Sequence, residues 1–142
     1  MTQYSAEIEI DAPPDRVWAV MRDVERWSEW TPTVRSIRIM GSRPLAAGSR
    51  AWVRQPKFPP AMWRITELDD AGRSFTWVSA APGMRVTARH GVEALGAGSR
   101  ARLSIGYEGL FGPLFARWTR GINESYLAME ADGLKRRSLG LV

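Results

Sequence analysis

Apolar and polar residues alternate over the first ten positions. Tyr4, Ala6, Ile8 and Ile10 share one parity; Ser5, Glu7 and Glu9 share the other. A period of two marks a strand with one face buried. The next segment, DAPPDRVWAVMRD, breaks the alternation. Pro13 and Pro14 suit a first helical turn, Asp11 is placed to cap it, and Val17, Trp18 and Met21 have helical spacing. DVERWSEWTP predicts a second short helix, capped by Asp23, with Trp27 and Trp30 on one face and Pro32 at its end.

Alternation then returns in VRSIRIM, RAWVRQP, AMWRITEL, RSFTWVSA, RVTARHGVEA and ARLSIGYEG, separated by turn material such as DDAG. From Pro113 the period changes again. Leu114, Trp118, Ile122, Ser125 and Met129 recur at three or four residues and predict one long amphipathic helix. Gly133 is expected to loosen its end, and KRRSLGLV to fray. The order is a strand, two short helices, further strands joined by hairpins, and a closing helix. That order predicts an α+β fold in which one helix packs on an antiparallel sheet. Residues 1–142 read as a single domain, with no linker inside them. AGSRA occurs at Ala47 and again at Ala97, each time entering a strand, and reads as shared turn chemistry.

Composition removes several functions. With no cysteine there is no disulfide and no thiolate chemistry, and a single histidine leaves no expected transition-metal site. GAGSRA at Gly96 resembles a loose dinucleotide fingerprint, but a strand follows it, so no cofactor is expected. No P-loop, nucleophile elbow or paired-carboxylate motif is present. MTQYSAEIEI lacks the pattern of a signal peptide, and no apolar run is long enough to span a membrane; a cytoplasmic monomer or homodimer is expected.

The net charge of +5 is carried mostly by arginine, scattered along the chain, which argues against nucleic-acid binding. Arg50, Arg54, Arg64, Arg85, Arg89, Arg100 and Arg102 fall on the outward parity of neighbouring strands, with Glu7, Glu9, Glu93 and Glu108. A cross-strand ion-pair lattice is the favoured reading. Docking of this basic face to an anionic membrane or an acidic partner is the alternative.

The inward parity collects Val53, Gln55, Trp63, Ile65, Phe75, Trp77, Val86, Ala88, His90, Leu103, Ile105 and Tyr107, and the helix adds Trp118, Ile122, Ser125 and Met129. A mostly apolar wall with a few polar groups suits either a ligand pocket or a filled core. The candidate ligand contacts are Gln55, Trp63, Phe75, Trp77, His90, Ile105, Tyr107, Trp118, Ile122 and Met129. His90 and Tyr107 are the candidates for moving a proton. The strand carboxylates Glu7, Glu9, Glu93 and Glu108 point outward, so no dyad partner for His90 is expected, and buried His90 is expected to be neutral.

The blocks IEIDAPPDRVWAVMRDVERWSEWTPTV, GSRAWVRQP, MWRITEL, FTW, RHGV and YLAMEADGLKRR cover nearly the whole length. On these the chain resembles the START-like helix-grip superfamily, in particular its bacterial polyketide cyclase/dehydrase-like branch. The resemblance implies a curved seven-stranded antiparallel sheet gripping the C-terminal helix, with a cavity for a small hydrophobic ligand between them. It carries over no catalytic motif. A binder of a lipid-like or aromatic ligand is the first expectation, and a cyclase, aromatase or dehydratase acting in the same cavity is the rival.

Overall fold

The computed structural model describes residues 2–142; Met1, counted in the expected 1–142 domain, lies outside them. Strand β1 (Thr2–Ile10) leads to helix α1 (Pro14–Arg22) and a 3₁₀ helix (Val24–Glu29). Six strands follow: β2 (Ser36–Met40), β3 (Arg50–Gln55), β4 (Phe58–Asp69), β5 (Ser74–Ala81), β6 (Met84–Leu95) and β7 (Gly98–Glu108). Helices α2 (Gly112–Trp118) and α3 (Arg120–Ser138) close the chain. All strands join one antiparallel sheet in the order β1-β7-β6-β5-β4-β3-β2. Every step after β2 is a hairpin. The one long crossing is made by α1 and the 3₁₀ helix, which carry the chain from one edge to the other.

Register shifts between Val53 and Gln55 and between Ile65 and Glu67 interrupt the ladders of β4. Irregularities of this kind bend a strand. The sheet packs α3 against β1 and β7, with α1 alongside, and the 3₁₀ helix rests near β2. Val17, Trp18, Met21, Val24, Trp27 and Trp30 are all buried between these helices and the sheet. The expected helical spacing thus places its apolar residues in the core. Asp11 and Asp23 do not act as caps: Pro13 and Asp23 occupy the capping positions, and neither makes a side-chain cap bond.

The closing helix departs from expectation in two ways. It is broken at Thr119, whose Oγ1 donates back to the Phe115 carbonyl at 2.7 Å, a bond that competes with regular helical geometry. On both sides of that break the inward face lies one position on from the expected stripe. Ala116, Asn123, Tyr126, Leu127, Ala131 and Leu134 are buried, while Leu114 is exposed and Trp118 is 82% exposed. The end of the helix is not frayed either. Leu134 and Ser138 are buried, and Arg137 pairs with Glu29. Gly133 is a close-packing position within α3, where a Cβ would run into the Trp30 carbonyl oxygen.

The outward arginines form the expected lattice in part. Arg102 meets Glu93 at 3.0 Å and Glu7 at 3.2 Å, Arg100 meets Glu9 and Glu93 at 3.5 Å, and Arg85 meets Glu108 at 3.8 Å. Arg50, Arg54, Arg64 and Arg89 are exposed and without an ion pair among the described residues. No helix among the described residues is long and apolar enough to cross a membrane.

Candidate functional site

Between the sheet and α3 lies an inner cavity of about 60 Å³. Its sheet wall is Val53, Gln55, Phe58, Trp63, Trp77, Ala88, His90, Ser104 and Ile105. Trp27, Val34 and Ile37 close it on the side of the 3₁₀ helix, and α3 supplies Asn123, Tyr126, Leu127 and Glu130. Gln55, Phe58, Trp63 and Ile105 are shared with a second, outer space of about 360 Å³. That outer groove is largely apolar. Trp52, Pro59, Pro60, Ala61 and Met62 line it from the β3–β4 side, Met84 and Val86 from β6, and Tyr107 and Phe115 from the α2 end. The inner cavity is too small by itself for a ligand of ordinary size; the outer groove falls at the lower end of the usual range of small-molecule sites, and the inner cavity extends it.

His90 sits mid-strand on β6, as its parity predicts, and is 6% exposed. Phe75, its cross-strand neighbour, stacks on the imidazole with centroids 4.3 Å apart, and Trp27 and Trp77 meet it edge-on. Desolvation among these rings pushes its pKa down to about 3, only partly offset by the Phe75 backbone. It is therefore neutral at pH 7. Its Nδ1 is buried and meets no hydrogen-bond partner.

One carboxylate that the strand parities do not show faces inward, from the helix. Glu130, one turn beyond Tyr126 and Leu127 on α3, points into the same cavity. Its Oε2 accepts from Thr33 Oγ1 at 2.9 Å. Thr33 Oγ1 lies 3.0 Å from Thr31 Oγ1. Because the Thr33 proton is committed to Glu130, Thr31 is the donor in that second bond. Burial raises the Glu130 pKa to about 7, and the Thr33 hydrogen bond opposes it only in part. The strand parities hold, but this carboxylate stands on the helix, whose phase differs from the expected stripe. Starting the helical period at Arg120, after Thr119 and beside Gly121, puts Asn123, Tyr126, Leu127 and Glu130 on one face.

Of the expected ligand contacts, Gln55, Trp63, Trp77, His90 and Ile105 line the inner cavity. Phe75 does not: it is buried behind the wall, stacked on His90. Tyr107 is buried elsewhere, donating to Asn123 Oδ1 at 2.9 Å, and reaches only the outer groove. This bond ties β7 to the start of α3 and leaves Tyr107 without the open hydroxyl that a proton carrier needs. Trp118 is outside altogether, and Ile122 and Met129 are half-buried away from the cavity, because the inward face of α2 and α3 lies one position on from the expected stripe. Phe58, Asn123, Tyr126 and Glu130 were not expected. Phe58 meets Tyr126 edge-on at 5.6 Å and faces Phe115 at 6.4 Å. The Tyr126 hydroxyl accepts from the Lys57 amide at 3.0 Å. These rings stand where the inner cavity gives onto the groove.

Comparison with known proteins places this architecture. Among solved structures, the protein TTHA0849 from Thermus thermophilus is similar over 98% of both chains, with a TM-score of 0.79 and 22% identity. The Zhui aromatase/cyclase from a Streptomyces species is similar over 96% of this chain and 93% of its own, with a TM-score of 0.74 and 15% identity. A norcoclaurine synthase from Thalictrum is similar over 98% and 94%, with a TM-score of 0.76 and 18% identity. At such identities the likeness establishes the helix-grip fold. No curated protein matches the sequence. Residues 1–138 match the family described as polyketide cyclase / dehydrase and lipid transport, and the chain belongs to that family.

Proposed function

We propose that this domain binds a small hydrophobic ligand carrying one polar head group, held between the sheet and α3. The observation that carries this reading is the two-part space. A small inner cavity with few polar groups, among them Glu130 and His90, shares four wall residues with a larger apolar groove. Such a shape suits a ligand whose polar end goes in first, with its apolar body along Trp52, Pro60, Met62 and Phe115. The family description, which names lipid transport beside cyclisation, agrees with this reading. Native mass spectrometry of protein purified from its own host tests it. An adduct of small-molecule mass, lost on denaturation, is expected. Protein that is bare on isolation and that takes up no apolar fluorophore overturns the reading.

A second reading has its own observation. A carboxyl group poised near neutrality inside a cavity is suited to general acid–base work. Glu130, rather than the neutral His90, would then move the proton in a cyclisation or dehydration. The similarity to an aromatase/cyclase supports this alternative at the level of the fold. Glu130→Gln separates the two: in either case the variant still takes an uncharged apolar probe, but an enzyme loses about 100-fold or more in turnover, the gain typical of a general acid or base.

A further inference from the structure

Resting on the binding reading above, we infer that the polar head this cavity takes is a protonated amine, seated against Glu130. Glu130 is the one acidic residue on the inner wall, and among the described residues that wall carries no lysine or arginine. Glu130 is half-buried at the cavity wall, and a carboxylate taken out of bulk water is best satisfied by two or three donors. Glu130 receives one, from Thr33, and its Oε1 has no protein partner among the described residues. An ammonium group supplies the missing donors and the compensating charge together. Trp27, Phe58, Trp63, Trp77 and Tyr126 turn aromatic surface to the same space. Aromatic faces attract a cation in a desolvated site and give no such advantage to an anion.

An acidic head group fits poorly. It would stand beside Glu130 with no cation to neutralise it, and like charges in a desolvated cavity repel strongly. The titratable groups facing Glu130 are His90 from β6 and Tyr126 from α3, while the Thr31–Thr33 segment contributes only hydroxyls. Burial keeps His90 uncharged, so it does not take the place of a cation. Size adds a second restriction. About 60 Å³ admits a primary or secondary ammonium, and the apolar body must remain in the groove of about 360 Å³.

The test uses three probes with one bicyclic body: 2-(1-naphthyl)ethylamine, 2-(1-naphthyl)ethanol and 1-naphthylacetate. Calorimetry at pH 8 is expected to rank the amine at least about 10-fold tighter than the alcohol, with the acid weakest, as for gaining a charge-assisted hydrogen bond. In Glu130→Gln, whose amide oxygen can still accept from Thr33, the alcohol should bind within about 3-fold of the parent and the amine should lose its advantage. A measurement on the unaltered protein stands beside the variant. At pH 6 the amine should release close to one proton from Glu130 on binding, read from the dependence of the heat on buffer, and the alcohol none. An amine that binds no better than the alcohol, a preference that survives in Glu130→Gln, or binding without proton release overturns the inference while the cavity stands. If none of the three probes binds, the binding reading falls and the amine head group falls with it.

Discussion

Replacing Glu130 with glutamine tests whether the cavity is as dry as its walls imply. In the folded protein the carboxyl pKa is raised from 4.5 to about 7 by burial. A raised carboxyl pKa means that the folded state holds its proton more tightly than the unfolded chain does. Stability from this group is therefore present at low pH and lost as pH rises through the window from 4.5 to about 7. Each pKa unit corresponds to about 1.4 kcal/mol. Between pH 5, where the unfolded chain is already partly ionised, and pH 8, the loss is about 2.5 kcal/mol. Glu130→Gln keeps the shape and the Thr33 bond but cannot ionise. Urea melts of the parent and the variant at pH 5, 6, 7 and 8 measure the difference. The variant should gain on the parent by about 2.5 kcal/mol across that range, most of it below pH 7. Every other titrating group, His90 included, is common to both proteins and drops out of the comparison. A gap that stays flat to within about 0.5 kcal/mol would falsify the buried position of this carboxyl.

His90 gives the opposite sign. Its folded pKa is depressed from 6.5 to about 3, so its contribution is fully present above pH 6.5 and is lost as pH falls from there toward 3. As the only histidine, it should give one imidazole Cε1–H resonance that does not move between pH 5 and 8; a midpoint near 6.5 contradicts its burial. Trp18, buried against Phe75 with its Nε1 donating to Asp70 at 3.0 Å, should cost about 3–5 kcal/mol when replaced by alanine, and a loss below about 1 kcal/mol in denaturant melts counts against its packing. Gly133→Ala should destabilise the fold despite alanine's higher helix propensity, because Trp30 occupies the space; a raised Tm would show that α3 and Trp30 separate freely. Arg102→Ala should change stability by less than about 1 kcal/mol, since its partners Glu7 and Glu93 are on the solvated sheet face; a larger loss in urea melts would mark the lattice as cooperative.

Much of the architecture is legible without any knowledge of contacts. A strand's period is two, so parity alone assigns Val53, Trp77, Ala88, His90 and Ile105 to the inward face, and the sheet agrees. The same parity sends Arg100, Arg102, Glu7 and Glu93 outward, where they pair. Helical phase is less forgiving. Each residue advances the face by about 100°, so a stripe read one residue out of phase misses the inward face along its whole length. The buried face runs Ala116, Thr119, Asn123, Tyr126 and Leu127 in one phase through α2 and α3, one position on from the expected stripe, and so exchanges Trp118, Ile122 and Met129 for Asn123, Tyr126 and Glu130. Nor does alternation distinguish a residue that lines a cavity from one that lies behind the lining. Phe75 and His90 are cross-strand neighbours on one face, yet stacking buries the first and leaves the second on the wall. The sequence by itself determined the order of elements and the two faces of the sheet, because these follow from local periodicity, while the family resemblance rests on its matching blocks. The tertiary structure alone decided which face of the helix meets the sheet, and with it that a carboxylate, held by Thr33 from a segment distant in sequence, stands on the cavity wall.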